Sequence, residues 1–345
     1  MNAARISFRM CAWRLSQLLV IVLAVLPALG SAEDEAGTRL ELVEVRRIWN
    51  RAPHNAFTDL LRHRDQWYCV FREGKAHVSP DGALRVISSP DGENWKSLAL
   101  VQSDRFDLRD AKITLTPEGE LMLNGAGMIA DAKVRYYSHV WFSNNGGRTW
   151  DAGRQIGDPG FWLWRAQWHR GSAYSFGYST ERDRTKRSLR LYCSKDGRKF
   201  ETHMRKLTAP AGCGEDRILF RKDGTALCLL RHETGDKMAQ LGTSKPPYKE
   251  WMWRDLNYRI GGPNMIELPD GRILAVTRLY APRTRTALSW LDPDKGKMTE
   301  VLELPSGGDT SYAGLVLREG LLWVSYYSSH EGKASIYLAK VRFPE

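Results

Sequence analysis

The chain has 345 residues, with 51 lysines and arginines against 40 aspartates and glutamates, a formal net charge of +11. The basic residues are spread along the sequence rather than run together, and no nucleic-acid-binding motif accompanies them, so a DNA or RNA partner is not expected. A mild excess of this kind suits acidic ligands such as uronic or sialic acids as well as it suits a plain soluble surface.

The first predicted element is not part of the fold. Arg5, Arg9 and Arg14 precede an apolar run over residues 18–29, and Gly30, Ser31 and Ala32 follow. That order is a secretory signal peptide with cleavage near Ala32, and the apolar run is short for a membrane span. The expectation is a secreted or periplasmic protein without stable membrane insertion after cleavage, whose residues 33–345 form one domain. Removing residues 1–32 takes away three arginines and no acids, leaving 48 basic against 40 acidic residues, or +8. Cys11 leaves with that segment. Cys69, Cys193, Cys213 and Cys228 remain, spaced neither as CxxC nor in any zinc pattern, so no metal site and no cofactor are expected. Cys69, Cys193 and Cys228 lie in apolar runs and read as buried small hydrophobes.

The rest of the chain repeats. Pairs of alternating apolar runs flank tight polar turns at His63-Arg64-Asp65-Gln66, Pro117-Glu118-Gly119-Glu120, Trp168-His169-Arg170-Gly171, Lys222-Asp223-Gly224-Thr225, Pro269-Asp270-Gly271-Arg272 and Arg318-Glu319-Gly320-Leu321. Such turns between alternating hydrophobics mark β-hairpins. A second signal follows three of the hairpins: Ser89-Pro90-Asp91-Gly92-Glu93-Asn94-Trp95, Ser143-Asn144-Asn145-Gly146-Gly147-Arg148-Thr149-Trp150 and Ser194-Lys195-Asp196-Gly197-Arg198-Lys199-Phe200. In each, Asp or Asn with Gly closes a turn and the final aromatic packs back on it. Serines at Ser244, Ser289 and Ser335 continue a period of about 50 residues, the size of a propeller blade. No stretch after residue 40 keeps a helical period over three turns. The predicted fold is therefore all-β, a six-bladed β-propeller of four-stranded antiparallel blades.

In a propeller the starts of the six inner strands converge on one pocket. Here they read His54-Asn55-Ala56-Phe57-Thr58-Asp59, Asp107-Leu108-Arg109-Asp110, Trp162-Leu163-Trp164-Arg165, Gly214-Glu215-Asp216-Arg217, Gly261-Gly262-Pro263-Asn264 and Gly308-Asp309-Thr310-Ser311-Tyr312. Ionisable or hydrogen-bonding groups stand at nearly every one, and burying so many is costly unless they bind something or one another. Trp164 offers a face on which a sugar could stack.

The three boxes resemble the Asp-box (BNR) repeats of the sialidase superfamily, and Trp67-Tyr68-Cys69-Val70-Phe71-Arg72-Glu73-Gly74-Lys75 is similar to the segment before the first box in that group. The resemblance covers essentially all of the chain after the signal. It implies an exo-glycosidase that releases a terminal, acidic, sialic-acid-like sugar from a glycan by way of a Tyr nucleophile paired with a Glu. Tyr312 and Glu215 match that pair. Arg231 matches the second member of an arginine triad that clamps the substrate carboxylate. Arg285 is the best match for the third, with Arg278 as its rival. Asp110 matches an aspartate near the substrate. The chain departs from the pattern at Ala56, which stands where the first triad arginine would be, so that Arg51, Arg72 or Arg109 would have to substitute. The acid/base should come from the loop before the first box, as His77 or Asp81, or else be Asp59; alternatively His54, Asp59 and His77 would serve a different sugar. A non-catalytic glycan-binding propeller, and another glycosidase or a polysaccharide lyase using His54 or His77 as base, are the rival readings.

Overall fold

Alternation of apolar and polar residues on either side of the six tight turns yields six antiparallel hairpins, each extended outward by two further strands. The computed structural model describes residues 40–205, 207 and 211–344, and the expected signal peptide lies outside the described residues. Six separate antiparallel sheets follow one another along the chain. Their inner strands are His54–His63, Asp107–Leu115, the broken pair Phe161–Leu163 and Gln167–His169, Cys213–Phe220, Ile260–Glu267 and Thr310–Arg318. We number the blades 1 to 6 in this order. The predicted six-bladed β-propeller is the fold observed.

Blade 6 takes its outermost strand from the other end of the chain. Glu41–Trp49 pairs antiparallel with Ser335–Arg342, with Val45 opposite Ala339 and Trp49 opposite Ile336. This closure covers the outer side of Ser335–Arg342, so that the ends of the chain are joined in one blade. Between blades the contact is aromatic and aliphatic, as where Trp67 of blade 1 meets Trp323 of blade 6 with ring centroids 4.4 Å apart. The four cysteines stay unpaired. Cys213 faces His232 and Cys228 faces Ile218 across the same hairpin, so the two thiols are not opposite each other. Cys193 is only partly buried, unlike Cys69 and Cys228.

Each box closes the turn between the third and fourth strands of its blade. In blade 1, Ser89 Oγ donates to Asp91 Oδ1 at 2.7 Å and accepts from the Gly92 N–H at 2.8 Å. Asp91 Oδ1 also takes the N–H groups of Glu93 and Asn94, each at 2.8 Å. Trp95 Nε1 donates back to Gly92 O at 3.0 Å. Blade 2 repeats the scheme with Asn145 in place of the aspartate. Gly92 has φ +77°, and a Cβ there would lie 2.6 Å from the Trp323 ring. Gly92→Ala should therefore cost about 2 kcal/mol, combining backbone strain with a clash at the blade 6 contact. The expected readout is a melting temperature lower by about 3 °C; an unchanged melt would mean that the box glycine does not brace the blade 1–blade 6 seam.

Candidate active site

Five of the six inner strands carry a β-bulge at the same height. The register slips between Ala56 and Asp59, Arg109 and Lys112, Cys213 and Asp216, Gly261 and Asn264, and Ser311 and Gly314. Blade 3 breaks its inner strand outright at Trp164-Arg165-Ala166. A bulge inserts one residue and re-aims its side chain. Phe57, Asp110 and Tyr312 accordingly have φ of 64°, 52° and 57°, and Ser311 has 89°. Such values cost roughly 1–2 kcal/mol for a residue with a Cβ, so the surrounding structure must hold them there.

The central constellation is Tyr312, Glu215 and Arg231. The Tyr312 hydroxyl donates to Glu215 Oε1 at 2.5 Å. Arg231 Nη1 donates to both Glu215 oxygens, at 2.9 and 2.8 Å, and lies 3.3 Å from the Tyr312 oxygen. The Gly262 N–H donates to Glu215 Oε2 at 2.8 Å. Gly262 is required twice over: its φ is +53°, and a Cβ would meet the Tyr312 ring at 2.5 Å. Burial alone would raise the Glu215 carboxyl, but the Arg231 charge and the bonds from Tyr312, Arg231 and Gly262 outweigh it and hold Glu215 below its ordinary value. Tyr312 moves the other way. Burial and the neighbouring Glu215 charge push its phenol well above 10, against the pull of Arg231 and Arg278. The resting pair is thus a neutral phenol hydrogen-bonded to a carboxylate, with a base in place to take the phenol proton.

Phe57 packs edge-on against Tyr312 at 5.0 Å, and Trp164 meets Tyr312 at 5.5 Å. Trp162 lies stacked between Tyr136 at 5.0 Å and Tyr178 at 5.9 Å, so in this part of the molecule alternate tryptophans belong partly to the core. Asp110 is buried, and its Oδ1 has no hydrogen-bond partner. Burial, opposed by Lys112 and Arg109 and assisted by Glu215, pushes its carboxyl up to about 6. Lys112 is buried as well, donates to Thr58 O at 3.3 Å, and is held down to about 8 by burial.

The structure brings together some of the predicted residues and separates others. Arg278, rather than Arg285, reaches the centre: its guanidinium lies 5.3 Å from the Tyr312 ring centroid. Arg285 is held by Glu300 in the outer strand of blade 5, with Nε 2.8 Å from Glu300 Oε1. Asp59 falls one residue past the bulge, paired with Arg165 Nη1 at 2.8 Å and accepting from the Ile113 N–H; it lines a separate axial cavity of about 180 Å³ with Arg165, Arg217 and Asn264. Asp81 is exposed and accepts from the Lys75 N–H at 3.1 Å, an ordinary turn. Ala56 is buried, and no arginine takes over the missing one simply: Arg72 and Arg109 both bind Asp107, at 2.8 and 3.2 Å, although Arg109 also lies 5.6 Å from the Phe57 ring. His54 and His77 converge on Asp309, at 3.3 and 2.7 Å. Asp309, Tyr327 and Phe57 were not singled out by the sequence. Only the presence of Asp309 in the start of blade 6 could have suggested it.

The chain matches no known family profile, and no curated protein is similar to it in sequence. Solved structures are similar in fold. One is a protein of unknown function from Dyadobacter fermentans, 17% identical with TM-score 0.79, over 88% of this chain and 99% of that one. Another is the GH93 α-L-arabinofuranosidase of Fusarium graminearum in complex with arabinobiose, 14% identical with TM-score 0.68, over 87% and 98%. A third is Trypanosoma rangeli sialidase in complex with sialic acid, 11% identical with TM-score 0.61, over 85% of this chain and 54% of that one. This chain spans about half the length of that sialidase. The likeness establishes a sialidase-like six-bladed propeller.

The raised Asp110 carboxyl has a measurable consequence. A group whose folded-state value is lifted from 3.8 to about 6 contributes stability below pH 3.8 that is lost as pH rises through 6. The stability of the wild type relative to Asp110→Asn should fall by about 2 kcal/mol between pH 4 and pH 7, measured by denaturant unfolding at a series of pH values. A difference that stays constant with pH would mean Asp110 is not the raised acid.

Proposed function

We propose that the protein is a secreted or periplasmic exo-glycosidase that hydrolyses the bond to a terminal sugar, using Tyr312 as nucleophile. The observation that carries this is the 2.5 Å bond from the Tyr312 hydroxyl to an ionised Glu215. As the Tyr312 oxygen forms a bond to the anomeric carbon, its proton passes to Glu215. The bond from that carbon to the leaving oxygen breaks, and Asp110, protonated below about pH 6, supplies the proton that the leaving oxygen needs. Water then attacks the anomeric carbon, gives a proton to Asp110 and releases Tyr312, which recovers its own proton from Glu215. A neutral nucleophile suits a sugar that carries a carboxylate at the reacting carbon. Arg231 and Arg278 stand beside it, and among the described residues no acceptor engages Nη2 of Arg231 or Nη1 of Arg278. An acidic terminal sugar is the leading substrate.

A neutral terminal sugar is the second reading, favoured by charge pairing. Arg231 is bound to Glu215 and Glu233, and Arg278 to Asp309, so little unpaired positive charge faces a ligand. Release of free sugar from sialylated, uronate-containing and arabinose-containing glycans, measured with the purified protein, separates the two. Tyr312→Phe should lower the rate by on the order of 10³-fold or more, and Glu215→Gln by about 10²–10⁴-fold. Turnover unaffected by Tyr312→Phe would remove the nucleophile assignment, and a folded protein inactive across the whole panel would instead be a glycan-binding propeller.

A further inference from the structure

Among the described residues, one group of His, Cys, Asp or Glu side chains places three ligand atoms within 4.8 Å of one another: His54, His77 and Asp309. They are far apart in the chain. His54 opens the inner strand of blade 1, His77 lies in the loop after Gln66–Gly74, and Asp309 precedes the inner strand of blade 6. We propose that these three residues hold a divalent transition-metal ion, zinc being the simplest occupant, at the rim of the candidate active site.

The geometry supports this in four respects. His54 Nε2 and His77 Nδ1 approach the same oxygen, Asp309 Oδ2, at 3.3 and 2.7 Å. Ligands bound at about 2.0–2.2 Å around one zinc ion stand roughly 3–3.5 Å apart, so small movements seat an ion between the three. The other oxygen is already engaged: Asp309 Oδ1 accepts from the Tyr327 hydroxyl at 2.6 Å and from Arg278 Nη2 at 3.0 Å. That division, with one oxygen toward the ion and the other bonded outward, is how metal-binding carboxylates are oriented. The rings are packed in place, His77 edge-on to Phe57 at 5.1 Å and His54 within 5.4 Å of His77. Finally, the His77 side chain is half exposed, which gives an ion a way in and leaves coordination positions for water or a ligand.

The donor set selects the metal. Two imidazoles and one carboxylate suit zinc, copper, nickel or iron(II), and not the all-oxygen preference of calcium or magnesium. Arg278 opposes the ion through charge, so the site is expected to exchange metal rather than trap it. The alternative occupant of the same atoms is a proton, in a simple His–Asp hydrogen-bond cluster.

Untagged full-length protein stripped with chelator and titrated with Zn²⁺ by calorimetry should take up one ion per chain. Co²⁺ should give the visible absorption of a protein-bound ion with nitrogen ligands. His77→Ala, a change at a half-exposed position, and Asp309→Asn should each weaken binding at least tenfold, while His203→Ala, a partly buried histidine in the outer strand of blade 3, should not. Absence of Zn²⁺ and Co²⁺ binding in folded wild type, or wild-type binding by His77→Ala, would overturn the proposal. The readout needs no substrate, so failure of the glycosidase reading leaves this test intact, and the converse also holds.

Discussion

The ring of bulges around the propeller axis is the constraint on which the site depends. A bulge takes backbone groups out of the ladder, and those groups need partners because they are buried. The neighbouring blades provide them. Thr58 Oγ1 donates to Tyr312 O at 2.9 Å, Asn264 Nδ2 to Ala313 O at 2.8 Å, Lys112 Nζ to Thr58 O, and Asn124 Nδ2 to Trp164 O. Neighbouring blades thus hold the bulges of blades 1 and 6 and the break in blade 3, and the strained backbone at Phe57 and Tyr312 is braced from both sides. The same insertion turns the Tyr312 ring onto Gly262, whose N–H binds the carboxylate that Tyr312 addresses.

Two buried carboxyls near the axis are driven in opposite directions by their partners alone. Glu215 and Asp110 are both almost fully buried, so desolvation disfavours the charge on each. Glu215 receives donors from an arginine, a phenol and a backbone N–H, and stays ionised. Asp110 has cations nearby, but its Oδ1 has no donor, and it rises to about 6. Pairs of carboxyls separated in this way can divide base and acid work between them at one pH.

The hairpin turns and the boxes made the architecture readable, because a turn residue is dictated by local backbone geometry. The pairing of Tyr312 with Glu215, which stand 97 positions apart in the chain, was reached through resemblance and not from composition. What stayed hidden has a common cause. A positive φ at Phe57 or Asp110 leaves no mark on residue type, so nothing in the sequence indicated that Asp59 would fall past the bulge and pair with Arg165 while Asp110 took the bulge position and felt the Glu215 charge. Arg278 and Arg285 were separable only by register, since Arg278 lies opposite Gly261 at the bulge whereas Arg285 lies opposite Leu279 on the next strand. The meeting of His54, His77 and Asp309 depends on ring closure bringing blade 6 beside blade 1, which no local spacing records.

Charge around the pocket links the missing arginine to that cluster. Position 56 is an alanine, and the arginines that remain are matched by carboxylates: Arg231 by Glu215 and Glu233, Arg278 by Asp309, Arg72 and Arg109 by Asp107. A carboxylate-bearing sugar would meet a nearly neutral wall, and charge-assisted bonds lose most of their strength when the cation is already paired. A divalent ion on His54, His77 and Asp309 changes that balance. It would take up Asp309 Oδ2 and add positive charge beside Phe57, whose ring touches both His77 and Tyr312. If the proposed ion binds, the preference for an acidic over a neutral sugar would depend on its occupancy, because the ion would supply positive charge that the paired arginines do not.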